Sequence, residues 1–222
     1  MAIPAFIECT DGLDAAHQAL IRVDALAREA IEHRGCFKIA LAGGGSPAKL
    51  YALLAEQDWN WENWRVYYGD ERCLPVDHPD RNSVLAREHW LDPVDFPAQN
   101  HFPMPAELGP ESGAERYREL IDSLDIFDLV LLGVGEDAHT ASLFPGHEHA
   151  SNQSVVAVHG APKPPPERIS LSYETIIAGR SRLVLTGRSG KESALAAWQT
   201  GADVPIGRAT AGDGETLVFV WP

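Results

Sequence analysis

Apolar positions along this chain switch repeatedly between two spacings. Ala16, Leu20, Val23, Ala27 and Ile31 recur every three or four places, so residues 15–32 are predicted to form a helix with one buried stripe. Residues 37–42 form a short apolar strand that breaks at Gly43, Gly44 and Gly45. Ser46 then has the character of an N-cap and Pro47 that of a first helical residue, ahead of Leu50, Leu53 and Leu54. Residues 65–68 read as a strand ending at Gly69, Asp70, Glu71 and Arg72, and a helix follows at about 82–90. The proline-studded stretch 93–110 is irregular, and 112–124 is helical with Tyr117, Leu120, Ile121 and Leu124 on one face. Residues 129–132 are a continuous apolar run, short enough to be a buried strand. Strands are also predicted at 154–158, 168–171, 183–186 and 216–221, a helix at 190–198, and extended chain from Lys163 to Pro166.

Strand and helix alternate nearly throughout, which predicts the α/β class: a three-layer α/β/α, open, mostly parallel sheet of Rossmann-like type with a small peripheral lobe. The chain shows no internal repeat and no interdomain linker, so residues 1–222 are read as a single domain. In such a sheet the strand-to-helix junctions fall on the carboxyl edge, where open α/β sheets bind small molecules. Four junctions carry polar chemistry: 43–46, 70–72, 133–139 and 187–191. Their convergence on one crevice says more than any one of them.

Charge narrows the partners. Eighteen basic against thirty-two acidic residues give a net charge of −14, which argues against nucleic acid and anionic membranes. An anionic substrate would need a local cluster of cations. Cys9, Cys36 and Cys73 are dispersed and odd in number, as expected of reduced thiols. The first residues lack a basic region and a long apolar stretch, and no run approaches the roughly 20 residues that span a bilayer. The expected location is the cytoplasm.

Each junction has a bland reading beside its chemical one. Glycines at 43–45 let backbone amides face a phosphate at a helix N-terminus, or merely make a tight turn. Gly43, Gly45 and Ala48 match the common dinucleotide pattern GxGxxA, but Pro47 intervenes; no cofactor is expected. Arg72 could grip an anion and Asp70 accept from a sugar hydroxyl or orient a base, or the triplet could be a solvated turn. Lys191 lies near a helix start, an unfavourable place for a cation unless an anion is bound. His139 follows a buried strand, a glycine turn and two carboxylates, and an imidazole suits proton exchange with water. Asp137 either orients that ring or caps the turn. His147 and His149 raise a metal possibility with His139, but HxH spacing is weak, and no metal is expected.

Three blocks, LAGGGSPAKLY, YYGDERCLPVDHPDRN and GVGEDAHTASLFPGH, resemble the 6-phosphogluconolactonase family, with support from PPERISLS and GKESAL. The resemblance runs along essentially the whole chain. It implies a fold like that of the sugar-phosphate isomerases and deaminases. The implied reaction is hydrolysis of 6-phospho-D-glucono-1,5-lactone to 6-phosphogluconate in the oxidative pentose phosphate pathway, by a monomer. It further implies His139 as general base and Asp70 as its partner or a substrate-hydroxyl ligand. The substrate-binding set is Gly43, Gly44, Gly45, Ser46, Arg72, Asp137, Arg168 and Lys191, with Arg72 and Lys191 on the phosphate. Two positions depart from the family pattern. Ala138 stands where glycine is usual, a strained choice if its φ is positive, and Arg81 stands where serine commonly precedes Asn82.

Two other readings follow from the same resemblance. Glucosamine-6-phosphate deaminases carry GHIAFNEP in this loop, with a glutamate where this chain has Phe144. A sugar-phosphate sensor without activity should have lost the acid-base residues or gained an effector domain.

Overall fold

In the computed structural model, residues 4–148 and 152–222 are described. Among the described residues, six strands make one wholly parallel sheet in the order β1-β9-β8-β5-β2-β3. These strands are β1 (Ala5–Glu8), β2 (Phe37–Leu41), β3 (Trp64–Tyr68), β5 (Leu129–Leu132), β8 (Ser181–Gly187) and β9 (Glu215–Trp221). Three shorter strands, β4 (Asp70–Arg72), β6 (Val155–Val158) and β7 (Arg168–Leu171), form an antiparallel sheet in the order β4-β7-β6.

The second sheet corrects the sequence reading. Residues 70–72 are not a junction before a helix but a strand that leaves β3 after Gly69 and pairs with β7. The strands predicted at 154–158 and 168–171 belong to this small sheet and not to the parallel one. A three-residue strand of charged side chains carries no periodicity that could announce it.

The long helix α1 (Gly12–Arg34) starts where Asp11 accepts from the backbone N–H groups of Leu13 and Asp14, and stops at Gly35, whose φ is 78°. Its buried face is mostly alanine (Ala15, Ala16, Ala19, Ala27, Ala30), which lets the helix lie close against the sheet. Helix α2 (Gly45–Ala55) follows β2, and α3 (Asn82–Ala86) runs into a π-helical turn at Arg87–Leu91. The remaining helices are α4 (Pro110–Asp122), α5 (Tyr173–Ala178), α6 (Glu192–Gln199) and α7 (Pro205–Ala209). All four residues of β5 are buried, as expected of a central parallel strand covered on both faces. The chemistry therefore sits just beyond a fully buried central strand.

Candidate active site

Beyond β5 the chain makes a tight turn in which Ala138 N–H donates to the Gly135 carbonyl (3.0 Å) and Gly135 N–H donates to the His139 carbonyl (2.8 Å). The His139 ring folds back over Gly135: a β-carbon there would stand 2.0 Å from Nδ1. Glycine is required at this place by contact, not by its dihedral. Two non-glycine residues complete the loop in the left-handed region, Ala138 (φ 65°) and Ala141 (φ 48°). Each such residue stores roughly 1–3 kcal/mol of strain. The expected strain at Ala138 is therefore present, and burial of its methyl group (2% exposed) offsets part of it.

Asp137 is the carboxylate on the imidazole. Its Oδ1 lies 2.5 Å from His139 Nδ1 and also accepts from the His139 backbone N–H at 3.1 Å. Burial pushes the Asp137 carboxyl up, but the bonds from the His139 ring and backbone outweigh it and hold the group below its ordinary value. With Nδ1 donating to Asp137, a neutral ring presents Nε2 as an acceptor. One face of the ring packs on buried Phe144 at 4.7 Å between centroids.

Asp70 has different partners. Its Oδ2 accepts from Ser142 Oγ (2.6 Å) and its Oδ1 from Asn82 Nδ2 (2.9 Å), and the residue is buried. Asn82 is in turn seated against Gly43, where a β-carbon would lie 1.9 Å from its Oδ1. Glu71, fully buried, accepts from the backbone N–H groups of Arg72, Asn82 and Ser83. This clasp joins β4 to the start of α3 and so fixes where Asp70 and Arg72 stand. Asp70 is thus a held acceptor rather than the partner of His139.

The glycine loop is positioned by Tyr51, whose hydroxyl donates to the Ala42 carbonyl (2.6 Å) and accepts from the Ala42 N–H (3.1 Å). Helix α2 then begins at Gly45 with Gly44 (φ 100°) as N-cap and no side-chain cap. The expectation that Ser46 caps this helix is incorrect: it is already inside the first turn. The uncapped amides and the positive end of the helix open onto the cavity.

That cavity, about 360 Å³, is lined by Gly43, Gly44, Gly45, Ser46, Asp70, Arg72, His139, Arg168 and Lys191, and also by Asn82, Glu136 and Lys163. Asp137 is set behind His139 and is not among its lining residues. Arg72 donates through Nη1 to the Asp80 carbonyl (2.6 Å), while its buried Nε has no hydrogen-bond partner among the described residues. Arg168 faces Arg72 across the β4–β7 ladder. Its guanidinium donates to the carbonyls of Lys163 (3.0 Å), Pro164 (3.3 Å) and Pro165 (3.1 Å) and lies over the Phe144 ring. Lys191 donates to Thr186 Oγ1 at 3.3 Å. Burial lowers its pKa and nearby Lys163 pushes the same way, while Glu136 opposes them.

Sequence reasoning passed over Asn82, Ser142 and Lys163, whose relevance comes from contacts 12 and 72 residues away for Asn82 and Ser142 and from the cavity wall for Lys163. Arg81 is buried and is not among the residues that line the cavity, donating to Glu107 (3.0 Å) and to the Met104 carbonyl (2.6 Å). His149 lies outside the described residues. Among the described residues no group of three His, Cys, Asp or Glu side chains is placed to hold a metal ion, and no helix is long and apolar enough to cross a membrane.

A family model described as glucosamine-6-phosphate isomerases/6-phosphogluconolactonase matches residues 10–218. A 6-phosphogluconolactonase of Synechocystis sp. is 41% identical over 187 residues, covering 80% of this chain and 78% of the relative. The structure of a 6-phosphogluconolactonase from Trypanosoma brucei superposes with a TM-score of 0.88 at 26% identity, covering 99% of this chain and 97% of that one. Another, from Thermotoga maritima, gives 0.91 at 24% identity over 99% and 100% of the two chains, a likeness of fold. The chain belongs to the glucosamine-6-phosphate isomerase/6-phosphogluconolactonase family.

Proposed function

We propose that the protein hydrolyses 6-phospho-D-glucono-1,5-lactone to 6-phosphogluconate, the second step of the oxidative pentose phosphate pathway. The observation that carries this reading is His139, backed by Asp137, at the wall of a cavity that four cations, Arg72, Lys163, Arg168 and Lys191, also line. The relatives named 6-phosphogluconolactonase support it.

The chemistry needs one base that becomes one acid. His139 Nε2 takes a proton from water as the water oxygen attacks the lactone carbonyl carbon. Asp137 stabilises the imidazolium as it forms, and the charge appears where a carboxylate is already aligned. The carbonyl electrons move to oxygen, and the uncapped amides at the start of α2 accept that charge as donors. Collapse of the tetrahedral intermediate breaks the bond to the ring oxygen, which leaves with the proton held by His139. The product is an open-chain acid, and the histidine returns to its neutral state. Arg72 and Lys191 hold the phosphate, which explains how so acidic a protein retains an anionic substrate. Asp70, oriented by Ser142 and Asn82, accepts from a sugar hydroxyl.

Phe144 weighs against the deaminase. Where the deaminase loop carries a glutamate, this chain buries an aromatic ring against His139, and no carboxylate stands there to relay a ring-opening proton. The test is to offer both substrates: freshly generated lactone, followed by phosphogluconate formation, and glucosamine 6-phosphate, followed by ammonia release. Hydrolysis above the spontaneous rate without ammonia supports the proposal; ammonia release without accelerated hydrolysis overturns it.

A further inference from the structure

Charges around the cavity are not evenly matched. Arg72 and Arg168 lie near two carboxylates, Asp70 and Glu71. Lys163 and Lys191 share a single carboxylate, Glu136. Glu136 Oε2 lies 3.4 Å from Lys163 Nζ, and all three side chains line the cavity. Both ends of the pair are at the solvent mouth, with side-chain exposures of 68% for Glu136 and 48% for Lys163.

The backbone around this pair is more firmly held than the pair itself. Arg168 donates to the Lys163 carbonyl and to the two prolines that follow, so the segment carrying Lys163 is laced to β7. Glu136 stands beside Gly135 in the turn that delivers His139. An exposed ion pair of this length contributes little and exchanges readily. A phosphate dianion, with more charge and more acceptor oxygens than one carboxylate, competes well for two ammonium groups.

We infer that Glu136 is a resident counter-ion of these two lysines until the substrate's phosphate displaces it, and that Lys163 joins Arg72 and Lys191 as a ligand of that phosphate. The inference rests on the proposed function for the identity of the phosphorylated ligand, but not for the exchange itself. It makes Glu136 an internal competitor and Lys163 a determinant of affinity. The cost of removing Lys163 must then depend on Glu136. In the wild type, loss of Lys163 forfeits a phosphate contact but also removes an ion pair that binding has to break. Without Glu136 the full contact is forfeited.

Isothermal titration of wild type, Glu136→Gln, Lys163→Met and the double variant decides the matter, with 6-phosphogluconate and inorganic phosphate as separate probes at low salt. Glu136→Gln should tighten both probes about threefold to tenfold and Lys163→Met should weaken them by a similar factor. The loss on Lys163→Met should be larger in the Glu136→Gln background than in the wild type. Equal losses in the two backgrounds, or unchanged or weaker binding by Glu136→Gln, would overturn the inference. If wild type binds inorganic phosphate but not 6-phosphogluconate, the proposed function fails and the phosphate series alone decides the exchange. Binding of neither probe sinks both.

Discussion

Replacing Asp137 by asparagine keeps the shape of the residue and removes its charge. The 2.5 Å contact to Nδ1 and the 3.1 Å contact to the His139 backbone both have an acceptor that asparagine can still offer. Lost is the attraction between carboxylate and imidazolium, which exists once His139 has taken its proton. At 2.5 Å, Coulomb's law gives about 2 kcal/mol in water and about 7 kcal/mol at an effective dielectric constant near 20. The ring is 17% and the carboxylate 36% exposed, so solvent screens the pair and the lower part of that range applies. A loss of about 2–4 kcal/mol in the transition state corresponds to a fall in kcat of roughly 30-fold to 1,000-fold. KM should change much less, since the neutral ground state of His139 does not depend on that charge. The assay is steady-state lactone hydrolysis with phosphogluconate oxidation as readout and the spontaneous rate subtracted. A variant with wild-type kcat would refute the assignment of Asp137 as the group that stabilises the imidazolium. A loss confined to KM would place it on the substrate instead.

Three further outcomes follow from particular contacts. Gly135→Ala puts a β-carbon 2.0 Å from His139 Nδ1, so the ring must swing out of place; turnover should fall at least about 100-fold, as misplacement of a reacting group does, with a small change in Tm. Ala138→Gly relieves a φ of 65°, worth about 1–2 kcal/mol, but loses a buried methyl worth about 0.8 kcal/mol and adds about 0.4–1 kcal/mol of unfolded-chain freedom. Stability by denaturant titration should therefore stay within about 1 kcal/mol of wild type, and a larger shift either way would contradict the balance. His101, bonded to the Tyr68 hydroxyl at 2.7 Å, has its pKa lowered by burial to about 4. The unfolded chain then binds the extra proton first. Stability is highest above about pH 6.5 and falls by up to about 3 kcal/mol as pH drops towards 4, a decline that His101→Gln should flatten in pH-dependent melts.

The sequence revealed unevenly what the structure contains. The α1 stripe and the β5 run were legible because burial on one face, or on both, leaves a period or a block in the chain. Strand β1 was missed because it is a half-exposed edge strand of four residues, too short for either signature. Helices α5 and α7 span a turn or two, too few positions for a stripe. The glycines at 43–45, with Asp70, Arg72, His139 and Lys191, could be gathered to one cavity because parallel topology puts strand ends together, Asp70 and Arg72 following directly on the end of β3; Arg168, on β7 of the small sheet, was legible only through the family resemblance. What no local pattern displays is pairing. Asp70 rests on Ser142 across 72 residues, and Gly43 is glycine because Asn82 leans on it. Such contacts are set by how β4 turns off β3 to join the second sheet, the one feature that alternation of strand and helix does not encode.

The proposed mechanism turns on a single histidine acting as base and then as acid on a phosphorylated lactone. Hydrolysis of freshly made 6-phosphogluconolactone by wild type and by His139→Ala, at matched concentrations and with phosphogluconate binding checked in both, tests this most directly. Acceleration by the wild type, with loss of nearly all of it in a variant that still binds phosphogluconate, is the predicted result. Full turnover by His139→Ala, or no acceleration by folded wild type, would contradict it.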